Sequence, residues 1–212
     1  MKIKWLGHSC FLMTSSCGTR ILTDPFDEKV GYRLPSVEAN IVTTSHNHFD
    51  HGNIRAVKGN FTHYGKPGEF AARDVKIKGV ATFHDESNGT KRGENTVFIF
   101  EIDGMRICHC GDLGHILSPQ QVSEIGSVDV LLVPVGGTFT INYEGAVKVV
   151  EQLKPVVTIP MHYRTHVLTF ALDSVDRFLS RIGNSNKLGL QEIELDKGSL
   201  EKYRGVVVLE YK

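Results

Sequence analysis

Three imidazoles and one carboxylate fall within six consecutive residues, His46-Asn47-His48-Phe49-Asp50-His51. On extended backbone alternate side chains point the same way, so His46 and His48 can address one metal ion. Where the chain then turns, Asp50 and His51 can be redirected to a second position nearby. Imidazole and carboxylate donors suit a borderline-soft divalent ion such as zinc, and manganese or iron accept the same set. A structural zinc finger would use several thiolates, and none lies near this segment. A lone His-x-His would be read as a polar turn; the full His-x-His-x-Asp-His behind an apolar run reads as a metal-binding motif.

One motif cannot fill two coordination shells, so further donors are expected at other strand ends. His84 closes the run 80–83, Asp112 follows Met105–His109 in His109-Cys110-Gly111-Asp112, and His162 follows the run 156–160 in Pro160-Met161-His162-Tyr163. Each is a polar residue emerging from an apolar strand, the way sites are built on a rigid scaffold. Asp24 either accepts the second ring N–H of a metal-bound histidine or is a turn aspartate before Pro25. Asp50, His8 and His115 are the candidate catalytic groups; His8 and His115 either line the cleft as proton donors or are structural. His63, His109 and His166 are read as structural. Gly136-Gly137-Thr138 either lets backbone approach a ligand closely or is a plain loop. Lys91, Arg92 and Arg164 either bind an anionic substrate group or are solvated charges.

The elements that must hold these residues follow from hydrophobic periodicity. Strands are expected over 3–6, 10–13, Arg20–Thr23, 41–44, 61–64, Val75–Phe83, 96–102 and Met105–His109, with Asp103-Gly104 as a tight hairpin turn. Residues 52–58 read as a short helix. Further on, Pro119–Ile125, 144–153 and 174–182 have helical spacing, with Asn142 as an N-cap and Pro155 as a stop for the second. Runs 128–135 and 156–160 are continuously apolar, as in buried strands, and 205–211 is a last strand. The polar stretch 85–95 is the one long loop, expected to be functional or mobile. Many strands followed by alternating α and β elements predict an α/β sandwich with sheets inside and helices outside. No repeat, linker or low-complexity tract divides the 212 residues, so one domain over 1–212 is expected.

Composition narrows the partners. Lys plus Arg and Asp plus Glu both number 24, giving no net charge and no electrostatic case for nucleic acid or a membrane surface. No apolar stretch approaches the ~20 residues of a membrane span, and the N-terminus lacks a signal-peptide core. A cytoplasmic protein acting on a small molecule is expected; the sequence says nothing of oligomeric state. Cys10, Cys17, Cys108 and Cys110 form no CxxC pair and read as small buried hydrophobes. A domain of this size can bury roughly 70% of its unfolded surface, so a metal is expected for chemistry rather than for folding.

Over most of its length the chain resembles the metallo-β-lactamase superfamily, in particular a small branch of Zn-dependent hydrolases related to ascorbate-6-phosphate lactonases. The resemblance is carried by Trp5-Leu6-Gly7-His8-Ser9, Leu22-Thr23-Asp24-Pro25-Phe26, the His46 to His51 motif, Ala81-Thr82-Phe83-His84, Gly111-Asp112 and Pro160-Met161-His162-Tyr163; nothing specific is recognised beyond about residue 170. It implies an αββα sandwich with two metal ions at one edge, between the sheets. It further implies His46, His48 and His84 as ligands of one metal, Asp50, His51 and His162 as ligands of the other, and Asp112 as the bridge. A hydroxide held between two such ions would attack a lactone, ester, amide or phosphoester.

Three other readings compete. A phosphodiesterase or nuclease of the same superfamily is disfavoured by the neutral charge and by the absence of room for an RNA-binding insertion. A di-iron oxygen or nitric-oxide reductase of this fold would carry a carboxylate where this chain has His48, and an added flavin domain. A non-catalytic metal-binding protein would have a closed, water-free site.

Overall fold

A computed structural model describes residues 1–212. Along the first strands, successive side chains enter two different cores. Ile3, Trp5, Phe11, Met13, Ile21 and Ile41 join one buried cluster, while Leu6, Cys10, Leu22 and Val42 join a second. That alternation is the period of two of a sheet covered on both faces.

The strands, numbered in chain order, form two mixed sheets. The first contains β1 (Lys2–Gly7), β2 (Cys10–Thr14), β3 (Arg20–Thr23), β4 (Ile41–Thr43), β5 (Thr62–Tyr64) and β13 (Glu192–Glu194), in the order β13-β1-β2-β3-β4-β5. The second contains β6 (Gly68–Ala72), β7 (Val75–Phe83), β8 (Glu94–Ile102), β9 (Met105–His109), β10 (Val130–Pro134), β11 (Val157–Met161), β12 (Ser185–Lys187) and β14 (Gly205–Val208). Its order is β12-β14-β11-β10-β9-β8-β7-β6. The larger core lies between the sheets. Helices α1 (Pro119–Ile125), α2 (Tyr143–Leu153) and α3 (Val175–Ile182) lie against the second sheet, α1 on β7, α2 on β10 and α3 on α2. The outer face of the first sheet is covered by irregular chain carrying Phe26, Val30, Tyr32 and Val57. The result is the expected sandwich, with one of its helical layers reduced to short turns.

Local chemistry explains most boundaries. Every residue of β10 and β11 is buried, as continuous apolar runs require. Asp103 and Gly104 both adopt positive φ, 51° and 72°, as a two-residue hairpin turn demands. Asn142 caps α2 by accepting from Gly145 N at 2.9 Å, and Ser118 and Gln121 form a reciprocal capping box on α1.

The helix expected over 52–58 is a correction: only a 3-10 turn, Ile54–Ala56, forms there. Asn53 does not cap it, because its side-chain amide donates to Phe26 O at 3.1 Å instead. Strands β6, β12 and β13 were not expected. β12 and β13 are polar edge segments, and of their six residues only Ile193 is buried, so hydrophobic periodicity carries no signal there.

Strand direction creates the site. β1, β3 and β4 run the same way, since β1–β2 and β2–β3 are antiparallel and β3–β4 parallel. By the same reasoning β7, β9, β10 and β11 share one direction. The carboxyl ends of each set therefore lie along one edge of their sheet. The two edges meet where His162 N, after β11, donates to His8 O, after β1, at 3.2 Å. No helix is long and apolar enough to cross a membrane.

Candidate metal centre

Every candidate donor leaves the carboxyl end of one of these strands. His8 follows β1, Asp24 follows β3, the His46 to His51 segment follows β4, His84 follows β7, Asp112 follows β9 and His162 follows β11. His8, Asp24 and His162 are in left-handed backbone, with φ of 52°, 43° and 51°. Such a conformation costs a non-glycine residue about 1–3 kcal/mol and persists only where its surroundings fix it. Here Trp5 Nε1 donates to His8 O at 3.0 Å, and Asp24 N donates to Thr43 O at 2.8 Å. Gly111 (φ 55°) brings Asp112 into place, and a Cβ there would overlap the side chains of Ser45 and Asn95. At Gly136 a Cβ would run into His162 O, so its close approach is to the site's own backbone.

The donor atoms fall into three overlapping sets, each with its members within 4.8 Å of one another: His46, His48 and His84; His8, Asp50, His51 and His162; and His46, His51 and Asp112. Asp112 reaches across them. Its Oδ2 lies 3.3 Å from His84 Nε2 and 3.4 Å from His162 Nε2, and its Oδ1 lies 3.2 Å from His51 Nε2. The structure thus brings together all seven residues expected as ligands, and adds His8 beside Asp50, with Nε2 3.2 Å from Asp50 Oδ2. His51 Nε2, His162 Nε2 and Asp112 Oδ1 are buried and make no hydrogen bond. Buried polar atoms without partners are rare in folded proteins, and convergent orphaned imidazole nitrogens and carboxylate oxygens fit divalent cations.

The electrostatics point the same way. Burial alone would push His51 down, but the adjacent Asp112, with Asp24, holds it well above its ordinary value. Burial would likewise raise Asp112, yet His162 and His51 keep it well below the carboxylate range. This position attracts positive charge. Burial, with His162 nearby, pushes His8 down to about 4, and burial, with His51 nearby, pushes His46 down to about 3. Their rings are neutral at neutral pH, the form in which imidazole ligates a metal.

Behind the donors lies a layer that orients them. Asp24, fully buried, accepts from His51 Nδ1 at 2.8 Å, from Ser45 N at 2.7 Å and from Ser45 Oγ at 2.7 Å. The first contact holds a proton on His51 Nδ1, so that it is the Nε2 proton, facing Asp112, that a metal ion would displace. Ser45 Oγ also lies 3.0 Å from His46 Nδ1. Asn95 Oδ1 accepts from Asp112 N at 2.9 Å, while its amide donates to Cys110 O and Thr82 Oγ1. Of these, only Asp24 was anticipated. Ser45 and Asn95 are neutral residues beside the ligand motif and at the end of a polar loop, where nothing in the sequence sets them apart.

At His115, Nε2 accepts from Phe83 N at 3.1 Å and Nδ1 donates to Ile116 O at 2.8 Å, so both ring nitrogens are bonded to backbone, which favours the structural of its two readings. His109, expected as structural, bridges the sheets by donating from Nε2 to Ser9 O at 2.8 Å. His63 pairs with Thr44 Oγ1 at 2.9 Å, and His166 is exposed.

Over the donors opens a cavity of about 470 Å³ that touches His48, Asp50, His84 and Asp112. Phe49, Phe139, Phe170 and Arg92 form its walls. The loop expected over 85–95 is ordered from within. Asp85 accepts backbone N–H bonds from Ser87 (2.7 Å), Gly89 (3.0 Å), Lys91 (3.0 Å) and Arg92 (2.7 Å). This fixes Arg92 beside the cavity, whereas Arg164 is exposed and lines none of the cavities at the site.

Residues 2–162 match the family model of the β-lactamase superfamily domain. A metal-dependent hydrolase of the UPF0173 group from Archaeoglobus fulgidus is 31% identical over 199 residues, covering 79% of this chain and 85% of that protein. Its namesake from Pelotomaculum thermopropionicum is 32% identical, over 78% and 85% of the respective chains. Among solved structures, a Thermotoga maritima protein described as a Zn-dependent hydrolase of the metallo-β-lactamase superfamily is 46% identical. It superposes with a TM-score of 0.84 over 100% of this chain and 99% of its own. The chain belongs to the metallo-β-lactamase superfamily.

Proposed function

We propose that the protein is a hydrolase that uses two divalent metal ions, zinc before manganese or iron, held at adjacent positions and joined through Asp112. The observation that carries this reading is the reach of the Asp112 carboxylate from His84 to both His51 and His162. His46, His48 and His84 would hold one ion, and Asp50, His51 and His162 the other, with His8 poised at Asp50. Ions so held would supply Lewis-acid polarisation of the scissile bond and would lower the pKa of a water nucleophile.

The chain's own residues do the rest. Asp24 fixes the ring orientation of His51, and Asn95 fixes the backbone of Asp112. His8 donates from Nε2 to Asp50 Oδ2 and so orients that carboxylate. The buried floor keeps bulk water to the open side, where a small-molecule lactone, ester, amide or phosphoester would enter. Openness of the cavity over His48, Asp50 and Asp112 speaks against a purely structural metal site, which would be closed.

The test is turnover. Zinc- or manganese-loaded protein, assayed against lactones, carboxylic esters and phosphodiesters, should hydrolyse one class in a way abolished by chelation. His48→Ala should abolish it as well. Turnover that survives chelation, or His48→Ala at the wild-type rate, would overturn the assignment.

A further inference from the structure

Four large hydrophobic side chains are exposed: Phe49 (53%), Ile116 (40%), Phe139 (37%) and Leu190 (51%). Two of them, Phe49 and Phe139, stand at the mouth of the donor cluster. They meet on Phe170, with ring centroids 6.1 and 6.0 Å from it and both rings edge-on. The three phenylalanines come from three separate segments: the ligand motif, the loop after β10 and the stretch after β11. An apolar wall assembled from distant parts of the chain and left facing solvent marks a ligand surface. Phe170 also packs against the second core, whereas Phe49 and Phe139 are exposed beyond it.

Arg92 borders the wall at Phe139. It lines the 470 Å³ cavity at this wall and also a second cavity of about 550 Å³ that touches His46 and His48 and contains no hydrophobic residue. Lys66 and Glu94 line that second space too, so with Arg92 it carries one net positive charge. The guanidinium forms no ion pair. One N–H goes to Thr138 O at 3.1 Å, and its carbon lies 5.4 Å from the centre of the Phe139 ring. An arginine has five N–H donors, so most remain available. The Asp85-ordered loop fixes the Arg92 backbone, which lowers the entropic cost of placing the charge.

We propose that the cleft selects a substrate with two unlike ends: an anionic group held by Arg92 on the polar side, and a flat apolar group held against Phe49, Phe139 and Phe170. The scissile bond would sit over Asp112, which lines the same cavity as both anchors. This rests on the hydrolase reading for its purpose and deepens it to a substrate class, an ester or lactone that is both anionic and apolar.

Binding tests it without turnover. Metal-loaded protein is titrated calorimetrically with 4-phenylbutyrate, with neutral 4-phenylbutanol and with ring-free butyrate. 4-Phenylbutyrate should bind most tightly. Arg92→Met should reduce its advantage over the alcohol by about ten- to a hundred-fold, the worth of a charge-assisted contact. Phe139→Ala and Phe170→Ala should each reduce its advantage over butyrate by about two- to ten-fold. A carboxylate held by the metal ions alone would leave the first ratio unchanged in Arg92→Met, which overturns the anion anchor. An unchanged second ratio in both phenylalanine variants overturns the apolar wall. The side chains at positions 92 and 139 are exposed, so those variants keep the fold; Phe170 is half-buried against the second core, and circular dichroism checks that its variant is folded. Retained selectivity in a protein that hydrolyses nothing would count against the hydrolase reading and support this one; metal-dependent turnover without selectivity would do the reverse.

Discussion

Replacing Asp24 by Asn would change one atom behind the metal centre and leave every proposed ligand in place. The carboxylate accepts three bonds, from Ser45 N, Ser45 Oγ and His51 Nδ1, at 2.7, 2.7 and 2.8 Å. Asparagine can keep its oxygen on Ser45 N, but its NH₂ group then faces two donors. Ser45 can rotate its hydroxyl to accept. His51 can relieve the conflict only by moving its proton from Nδ1 to Nε2, the nitrogen that faces Asp112. A protonated Nε2 cannot ligate a metal. Lost contacts of this kind behind a metal ligand typically weaken binding about 10–100-fold, which is about 1.4–2.7 kcal/mol. Competition with a zinc chelator measures that shift, and circular dichroism checks that the variant is folded. Zinc affinity within about two-fold of wild type, in a folded Asp24→Asn protein, would refute the role given to His51's tautomer.

Two further outcomes follow from individual contacts. His115→Ala should lower stability by about 1–3 kcal/mol, since it strands the Phe83 N–H, while leaving metal content and the pH profile of hydrolysis unchanged; a lost acidic or basic limb would restore His115 as a proton donor. Hydrogen bonds from the Thr19 and Ser15 hydroxyls hold the Asp74 carboxyl below its ordinary value. Its contribution is therefore complete above the unfolded pKa of about 3.9 and is lost as the pH falls through the lower folded value. Wild type should exceed Asp74→Ala in urea midpoint at neutral pH, and the gap should narrow as the pH falls below the unfolded value; a gap that widens on acidification would contradict the sign.

The donors were legible because each combines a polar type with a position just past an apolar run, and six strand ends meet at one edge. His46, His48, Asp50 and His51 announce themselves by local spacing; His84, Asp112 and His162 need the strands before them to be read correctly. What lay outside the sequence is relational. The two readings of His115 are separated only by knowing that Phe83 N and Ile116 O flank its ring. Ser45 and Asn95 act through contacts with residues 21 and 17 positions away. The apolar wall is the clearest case: Phe49, Phe139 and Phe170 are ordinary residues in three loops until the fold brings their edges together. Polar edge strands such as β12 leave no periodic trace either, because neither face of them is buried.

Metal stoichiometry tests the central claim most directly. Purified chain, saturated with zinc, freed of excess and analysed by inductively coupled plasma mass spectrometry, should carry two ions. Asp112→Ala should carry fewer than one, because Asp112 touches the donors of both positions. A single ion at saturation, or two ions retained by Asp112→Ala, would contradict the two-metal account.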